Sequence, residues 1–227
     1  MEILDTIRAL FHGPAPQEMA AQLRKPTGLL SRTISSRMNA VNRELYGLVF
    51  QQLDLLPHTH VLELGPGNGR TSVPLFHLQP TLRYAALDYS ADMVAATRRT
   101  LAKPIAQGLA EVHQGSSDAM PFADREFDVV FGVNTIYFWD DPSAHLQEVR
   151  RVLKPGGRLV TGYRDAASMK DLPFTKHGFA MYGVEAWEQL LRDHGAVTVQ
   201  SQVRQEPERK WQGQRLYVKG CCTVAQW

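Results

Sequence analysis

The 227-residue chain holds only two cysteines, Cys221 and Cys222, and they are adjacent. Neighbouring thiols supply neither a disulfide framework nor spaced metal ligands, so a reducing compartment and metal-free chemistry are expected. No run approaches the ~18–20 apolar residues of a membrane span. The opening Met1-Glu2-Ile3-Leu4-Asp5 has no basic n-region and no apolar h-region, which predicts a cytoplasmic protein without a secretory signal. An excess of one charge is missing too: 25 Lys and Arg stand against 23 Asp and Glu, mixed along the chain. That balance lacks the clustered basic surface of a nucleic-acid binder. Repeats and low-complexity segments are absent. What remains is a composition 44% hydrophobic, ample for one domain or one domain with an appendage.

Periodicity divides the chain in two. Ile3, Leu4, Ile7, Leu10 and Phe11 form a helical stripe that ends at Gly13-Pro14. A short helix is expected over 16–24, stopped before Pro26. A longer one presents Ile34, Met38, Val41, Leu45, Leu48, Val49 and Leu53 on one face, up to Pro57. From His60 onward strand and helix alternate. Strands are predicted over 61–64, 84–88, 110–113, 127–133 and 158–163, with helices from about Arg70, over 90–101 and over 142–153. Ser90 is a good N-cap, and Asp141-Pro142 is a cap followed by proline at the first helical position. Near-continuous apolar strands separated by helices predict a parallel sheet covered on both faces. The chain ends differently: a helix over 185–193 precedes strands at 197–203 and 216–224, expected to pair antiparallel.

The most informative stretch is Val61-Leu62-Glu63-Leu64-Gly65-Pro66-Gly67-Asn68-Gly69-Arg70. Glycine at alternate positions lets the backbone turn sharply and approach a ligand with no Cβ in the way. A dinucleotide fingerprint would need its third glycine at the sixth position, where Arg70 stands, so NAD is disfavoured. Asp88 ends the next strand, where a carboxylate can accept hydrogen bonds from both hydroxyls of a ribose. Tyr89 and Met93 flank the following helix start and could cover an adenine face. Farther on come Gln114-Gly115-Ser116-Ser117-Asp118-Ala119-Met120-Pro121-Phe122, then Phe127-Asp128-Val129-Val130, and Arg151-Val152-Leu153-Lys154-Pro155-Gly156-Gly157-Arg158-Leu159.

These four motifs, in this order across residues 61 to 163, resemble the signatures of the class I S-adenosylmethionine (AdoMet) methyltransferases, with the UbiE-like small-molecule group as the nearest flavour. The segment Arg24-Lys25-Pro26-Thr27-Gly28 with Met38-Asn39-Ala40-Val41-Asn42 also looks like the N-terminal region of some bacterial members. The resemblance implies a Rossmann-like α/β fold, a seven-stranded sheet of order 3-2-1-4-5-7-6 with strand 7 antiparallel and helices on both faces. It implies AdoMet as cofactor and S-adenosylhomocysteine as product. Gly65, Gly67 and Gly69 would turn past the methionine moiety, Glu63 would orient its amino group directly or through water, and Asp88 would hold the ribose. Ser116, Ser117 and Asp118 fall where the family reads the adenine edge, although Ser116 replaces a common aspartate. Asn134 would border the cofactor. The loop Asn134-Thr135-Ile136-Tyr137-Phe138-Trp139 keeps the Asn and Tyr spacing of the N-P-P-Y loop but neither proline, which disfavours methylation of planar amino groups.

Substrate is expected against Tyr137, Trp139, Met38 and His177, the last in a loop after strand 5. The other seven histidines, His12, His58, His60, His77, His113, His145 and His194, are read as surface residues or local hydrogen-bonding partners. No residue is nominated as catalytic, because aligning nucleophile, methyl and sulfur does most of the work. The expected organisation is a helical lid over 1–56 and a methyltransferase core over 57–227. The expected function is methylation of a small aromatic or apolar metabolite. RNA or protein methylation, or a non-catalytic binding module on the same fold, are the alternatives.

Overall fold

A computed structural model describes residues 14–28, 30–211 and 214–227, with the side chains of 30, 209–211 and 214 left out of account. The apolar stripe over 3–11, including Phe11, and His12 lie outside the described residues. Helices α1 (Pro16–Arg24) and α2 (Leu30–Phe50) come first. Pro16 opens α1 at its first turn, where its missing N–H costs nothing.

Seven strands form one sheet: β1 (His60–Leu64), β2 (Arg83–Asp88), β3 (Ala110–Gln114), β4 (Phe127–Val133), β5 (Leu153–Arg164), β6 (Thr198–Gln205) and β9 (Lys219–Gln226), in the order β3-β2-β1-β4-β5-β9-β6. The first five pair in parallel, and β9 runs antiparallel to both β5 and β6. This is the expected seven-stranded order, with β9 as the seventh strand. The strand expected over 216–224 is instead divided: β8 (Gln214–Leu216) pairs with β7 (Arg209–Trp211) in a separate hairpin, and the sheet strand begins at Lys219.

The helices connecting the strands are α3 (Leu75–Leu78), α4 (Ala91–Thr100), α5 (Ala102–Ala106), α6 (Pro142–Val152), α7 (Ala166–Met169) and α8 (Val184–Asp193). Ser90 caps α4 through Met93 N–H, and Asp141 caps α6 through Ser143 N–H. The helix expected near Arg70 starts only at Leu75, after a run of turns. Pro74 explains the delay, since it disfavours helical backbone at the residue before it.

Two hydrophobic layers sandwich the sheet. One, with Leu62, Phe127, Val130, Leu146, Tyr163 and Trp187, lies under α6 and α8. The other, with Val61, Tyr84, Val129 and Phe131, takes in Leu45, Leu48 and Val49 of α2, so the second half of that helix is core. Cys221 and Cys222 alternate along β9 into opposite layers, and burial pushes both thiols up to about 12. Neither is poised to react.

Candidate active site

Parallel strands deliver their carboxyl ends to one edge of the sheet, and a cavity of about 910 Å³ opens there. One half is built by the loops after β1, β2, β3 and β4. Gly65, Gly67 and Gly69 have φ of +67°, +61° and +73°, left-handed values that favour glycine. A Cβ on Gly67 would meet nothing within 4 Å, whereas one on Gly65 would strike Thr135 Cγ2 at 2.7 Å and one on Gly69 would strike Thr97 Cγ2 at 2.9 Å. Gly65 and Gly67 therefore border the cavity, and Gly69 lies behind it, packed on α4.

Asp88 ties this corner together. Its Oδ2 accepts from Gly67 N–H at 3.1 Å and its Oδ1 from Ser90 N–H at 2.8 Å. Burial still pushes the carboxyl up to about 6, against the pull of those two backbone donors. Met93 is buried and Tyr89 exposed, both on the lining. Ser116, Ser117 and Asp118 line the neighbouring wall.

Glu63 is placed differently from the expectation. It is fully buried and absent from the lining. Its Oε1 accepts from Tyr46 Oη at 2.9 Å, and its Oε2 accepts from Ser72 Oγ and Tyr84 Oη, each at 2.6 Å. Burial raises its pKa in spite of these donors. The carboxylate thus links α2, β2 and the glycine loop, and Tyr46 is the member of the cluster that faces the cavity.

Tyr137 and Met38 line the cavity, but His177 does not: it is exposed after a short 3-10 turn, Pro173–Lys176, whose Phe174 and Leu172 neighbour fill the wall instead. That expectation is corrected, because the apolar side of the turn packs inward and leaves the histidine to solvent. Trp139 borders the cavity on the side of the loop after β3. It stacks on His145, centroids 4.8 Å apart and planes 7° apart, while His145 Nδ1 pairs with Ser117 Oγ at 2.8 Å. Burial lowers the His145 pKa despite nearby Asp118, Asp141 and Asp140. Sequence alone suggests a surface or local role for His145; its place in the first turn after the Asp141 cap is the signal that points to the site.

The second half of the cavity lies beyond Asn134, under the N-terminal helices. Arg164, buried at the end of β5, pairs with buried Glu206 at 2.9 Å and donates to Asn42 Oδ1 at 3.0 Å and Val41 O at 2.9 Å. Asn134, with φ of +57°, donates to the same Asn42 oxygen at 3.0 Å. Neither Asn42 nor Arg164 carries a sequence signal that marks it as a site residue. The Arg24–Gly28 segment, noted in the sequence, crosses the mouth of the first half. Arg24 pairs with Asp140, Lys25 Nζ stands 4.3 Å over the Tyr89 ring, Ser90 Oγ donates to Pro26 O, and Gly28 N–H donates to Asp92 Oδ2 at 2.8 Å. Among the described residues, His60, Glu111 and Glu126 bring ligand atoms within 4.8 Å of one another, at the amino ends of the strands and away from this cavity.

Comparison with known proteins agrees with this geometry. Residues 62–161 match the sequence model of a methyltransferase domain. The chain is 31% identical over 159 residues to a fatty-acid O-methyltransferase of Mycolicibacterium smegmatis, covering 70% of this chain and 51% of that protein. It is 26% identical over 152 residues to the ubiquinone/menaquinone biosynthesis C-methyltransferase UbiE of Geotalea daltonii, covering 65% and 62%. The chain thus spans about half to three fifths of these relatives. A solved structure of Haemonchus contortus phospholethanolamine N-methyltransferase 2, with S-adenosylhomocysteine and phosphomonomethylethanolamine, superposes with a TM-score of 0.71 at 12% identity over 93% of this chain and 60% of that one. Residues 62–161 thus form a methyltransferase domain, on the fold shared by solved methyltransferase structures. Its relatives include proteins of the UbiE-like type, and AdoMet is the cofactor that such a domain implies. The residues present fit that cofactor: an open face at Gly67, a buried carboxylate at Asp88 and a polar wall from Ser116 to Asp118.

Proposed function

We propose that the protein transfers the methyl group of AdoMet to a small apolar or aromatic metabolite, by in-line displacement. The observation that carries this reading is the continuity of one cavity, from the Gly67–Asp88 corner to an apolar chamber beyond Asn134. AdoMet supplies a methyl group already activated by a sulfonium. The chain's own residues bind and orient. Gly65 and Gly67 leave room for the methionine moiety, and Asp88 keeps lone pairs for ribose hydroxyls. Tyr89 and Met93 flank the adenine, with Ser116, Ser117, Asp118 and His145 along its edge. Glu63 acts at one remove, through the Tyr46 hydroxyl it fixes. Helix α1, the Arg24–Gly28 segment and the first half of α2 serve as a lid that excludes water from the reacting atoms.

Acceptors differ among the relatives, which include fatty-acid, malonyl-[acyl-carrier protein] and demethylmenaquinone methyltransferases. Of these acceptors, a fatty acid has an apolar tail, which suits the chamber. Titration calorimetry tests the reading: AdoMet and S-adenosylhomocysteine are expected to bind and NAD is not. Binding of NAD without binding of AdoMet would refute it. Methyl transfer is expected to survive dialysis against a chelator.

A further inference from the structure

The polar end of the chamber is a set of hydrogen-bond donors whose direction can be worked out. Arg164 has no acceptor atom. Its Nη1 donates to Asn42 at 3.0 Å, so the carboxamide oxygen of Asn42 must face the guanidinium. Asn134 donates to that same oxygen through Nδ2. Asn134 Oδ1 is then turned to the Tyr137 hydroxyl at 3.3 Å, and the Tyr137 oxygen accepts from Arg164 N–H. Glu206 and the Val41 carbonyl accept from Nε and Nη2 of Arg164. Each acceptor in the cluster already has a donor. The Asn42 Nδ2 group, on the cavity lining, has no acceptor among the described residues.

Around this donor pole the walls are apolar, with Leu23, Met38, Met169, Phe174, Phe179 and Leu216. Of the four acids that line the cavity among the described residues, Asp88 is held by Gly67 and Ser90 N–H, Asp140 by Arg24 and Asp141 by Ser143 N–H, and Asp118 stands after β3. Among the described residues the lining holds one histidine, His145, stacked on Trp139 and paired with Ser117. Tyr137 is occupied at both ends of its hydroxyl, and burial raises its pKa. Arg37, on the lining, has no ion-pair partner among the described residues. Donors and positive charge without a base suit a nucleophile that arrives already anionic.

Granted the methyl-transfer reading above, we infer that the acceptor is the carboxylate of a molecule with a long apolar tail, its head held by Asn42 Nδ2 beside Arg164. A carboxylic acid is ionised at neutral pH. Its oxygen forms a C–O bond to the methyl carbon as the C–S bond breaks, the bonding pair stays on sulfur, and no proton has to leave. The products are a methyl ester and S-adenosylhomocysteine. An alcohol or an ammonium would have to lose a proton to a base.

Three probes with one tail separate these cases: dodecanoate, dodecan-1-ol and dodecylamine, offered to the full chain. Dodecanoate is expected to bind the protein loaded with S-adenosylhomocysteine and, with AdoMet, to yield a base-labile methyl ester; the alcohol and amine are expected to yield no methylated product. Asn42→Asp keeps an oxygen for Arg164 and Asn134 but turns the free donor into an anionic acceptor. It is expected to weaken dodecanoate binding by about tenfold or more while S-adenosylhomocysteine binding is unchanged. Parental dodecanoate affinity in folded Asn42→Asp overturns the inference, as does methylation of the alcohol or amine but not of dodecanoate. Failure of decanoate, dodecanoate and tetradecanoate to bind, when S-adenosylhomocysteine binds, also overturns it and leaves the methyl-transfer reading in place. Failure to bind AdoMet and S-adenosylhomocysteine defeats that reading itself.

Discussion

Asp88 holds its charge where burial opposes ionisation, and this makes it a pH-sensitive point of the proposed cofactor site. Protonation turns one oxygen of the carboxyl into a donor and removes the charge that strengthens its bonds to ribose hydroxyls, so affinity for S-adenosylhomocysteine is expected to fall as the pH drops through about 6. Hydroxyl donors also favour the charged form, so binding near that pH should release protons, measurable by calorimetry in buffers of different ionisation heat. The effect on folding has the opposite sign. The folded pKa lies above the usual value of 3.8, so ionised Asp88 costs stability above about pH 6, and that cost fades as the pH falls toward 4. Asp88→Ala removes charge-assisted bonds of about 1.5–3 kcal/mol each and should lower affinity more than tenfold in a folded protein. Parental affinity in that variant would show that the ribose is held elsewhere. Glu63 teaches a complementary lesson at the same scale. An acid two residues before a glycine turn reads as a ligand contact, but β1 is buried on both faces, and its side chain ends among three hydroxyls.

At the scale of elements, α2 is held to the sheet by its apolar half and by one buried ion pair. The Arg164–Glu206 pair joins the end of β5 to the residue after β6, and its guanidinium grips Asn42 and the Val41 carbonyl on α2. Glu206→Leu strands the Arg164 charge in a buried site and is expected to cost about 3–5 kcal/mol, read as a lower denaturant midpoint. Arg164→Met combined with Glu206→Leu should recover part of that loss, since a buried pair replaced by apolar groups is often neutral. Equal destabilisation in both variants would mean that the pair contributes through something other than charge compensation. The elements themselves were largely legible. Caps at Ser90 and Asp141 and the proline at 142 act within one turn of chain, and the helices start where they say. The late start of α3 and the split of the last strand were misjudged, because Pro74 and the β7–β8 hairpin overrode local apolar periodicity.

For the whole molecule, the proposed lid rests on the N-terminal helices, which supply part of the cavity lining. Residues of α1 and the Arg24–Gly28 strap bridge the loops after β2 and β4 through Tyr89, Ser90, Asp92 and Asp140. Deleting residues 1–30 should spare much of the cofactor affinity, which the Gly67–Asp88 corner supplies, and abolish methyl transfer by opening the chamber to water. A folded truncation that turns over at the parental rate would refute the lid.

Residue types at fixed spacing determined the strand positions, the glycine turn and the Asp88 strand end, because each is decided within one strand–loop–helix unit, and the resemblance of the motifs implied the sheet order. A positive φ at Gly67 or a cap at Ser90 is decided within a few residues. Tertiary structure alone decided that Glu63 faces away from the cavity, that His177 is left to solvent, that Trp139 and His145 stand together with Ser117, and that Asn42, Asn134 and Arg164 meet. Those last contacts join residues 92 and 122 positions apart in the chain. No periodicity encodes them: they form because helix α2 buries its apolar face over β5 and brings Asn42 against the strand ends.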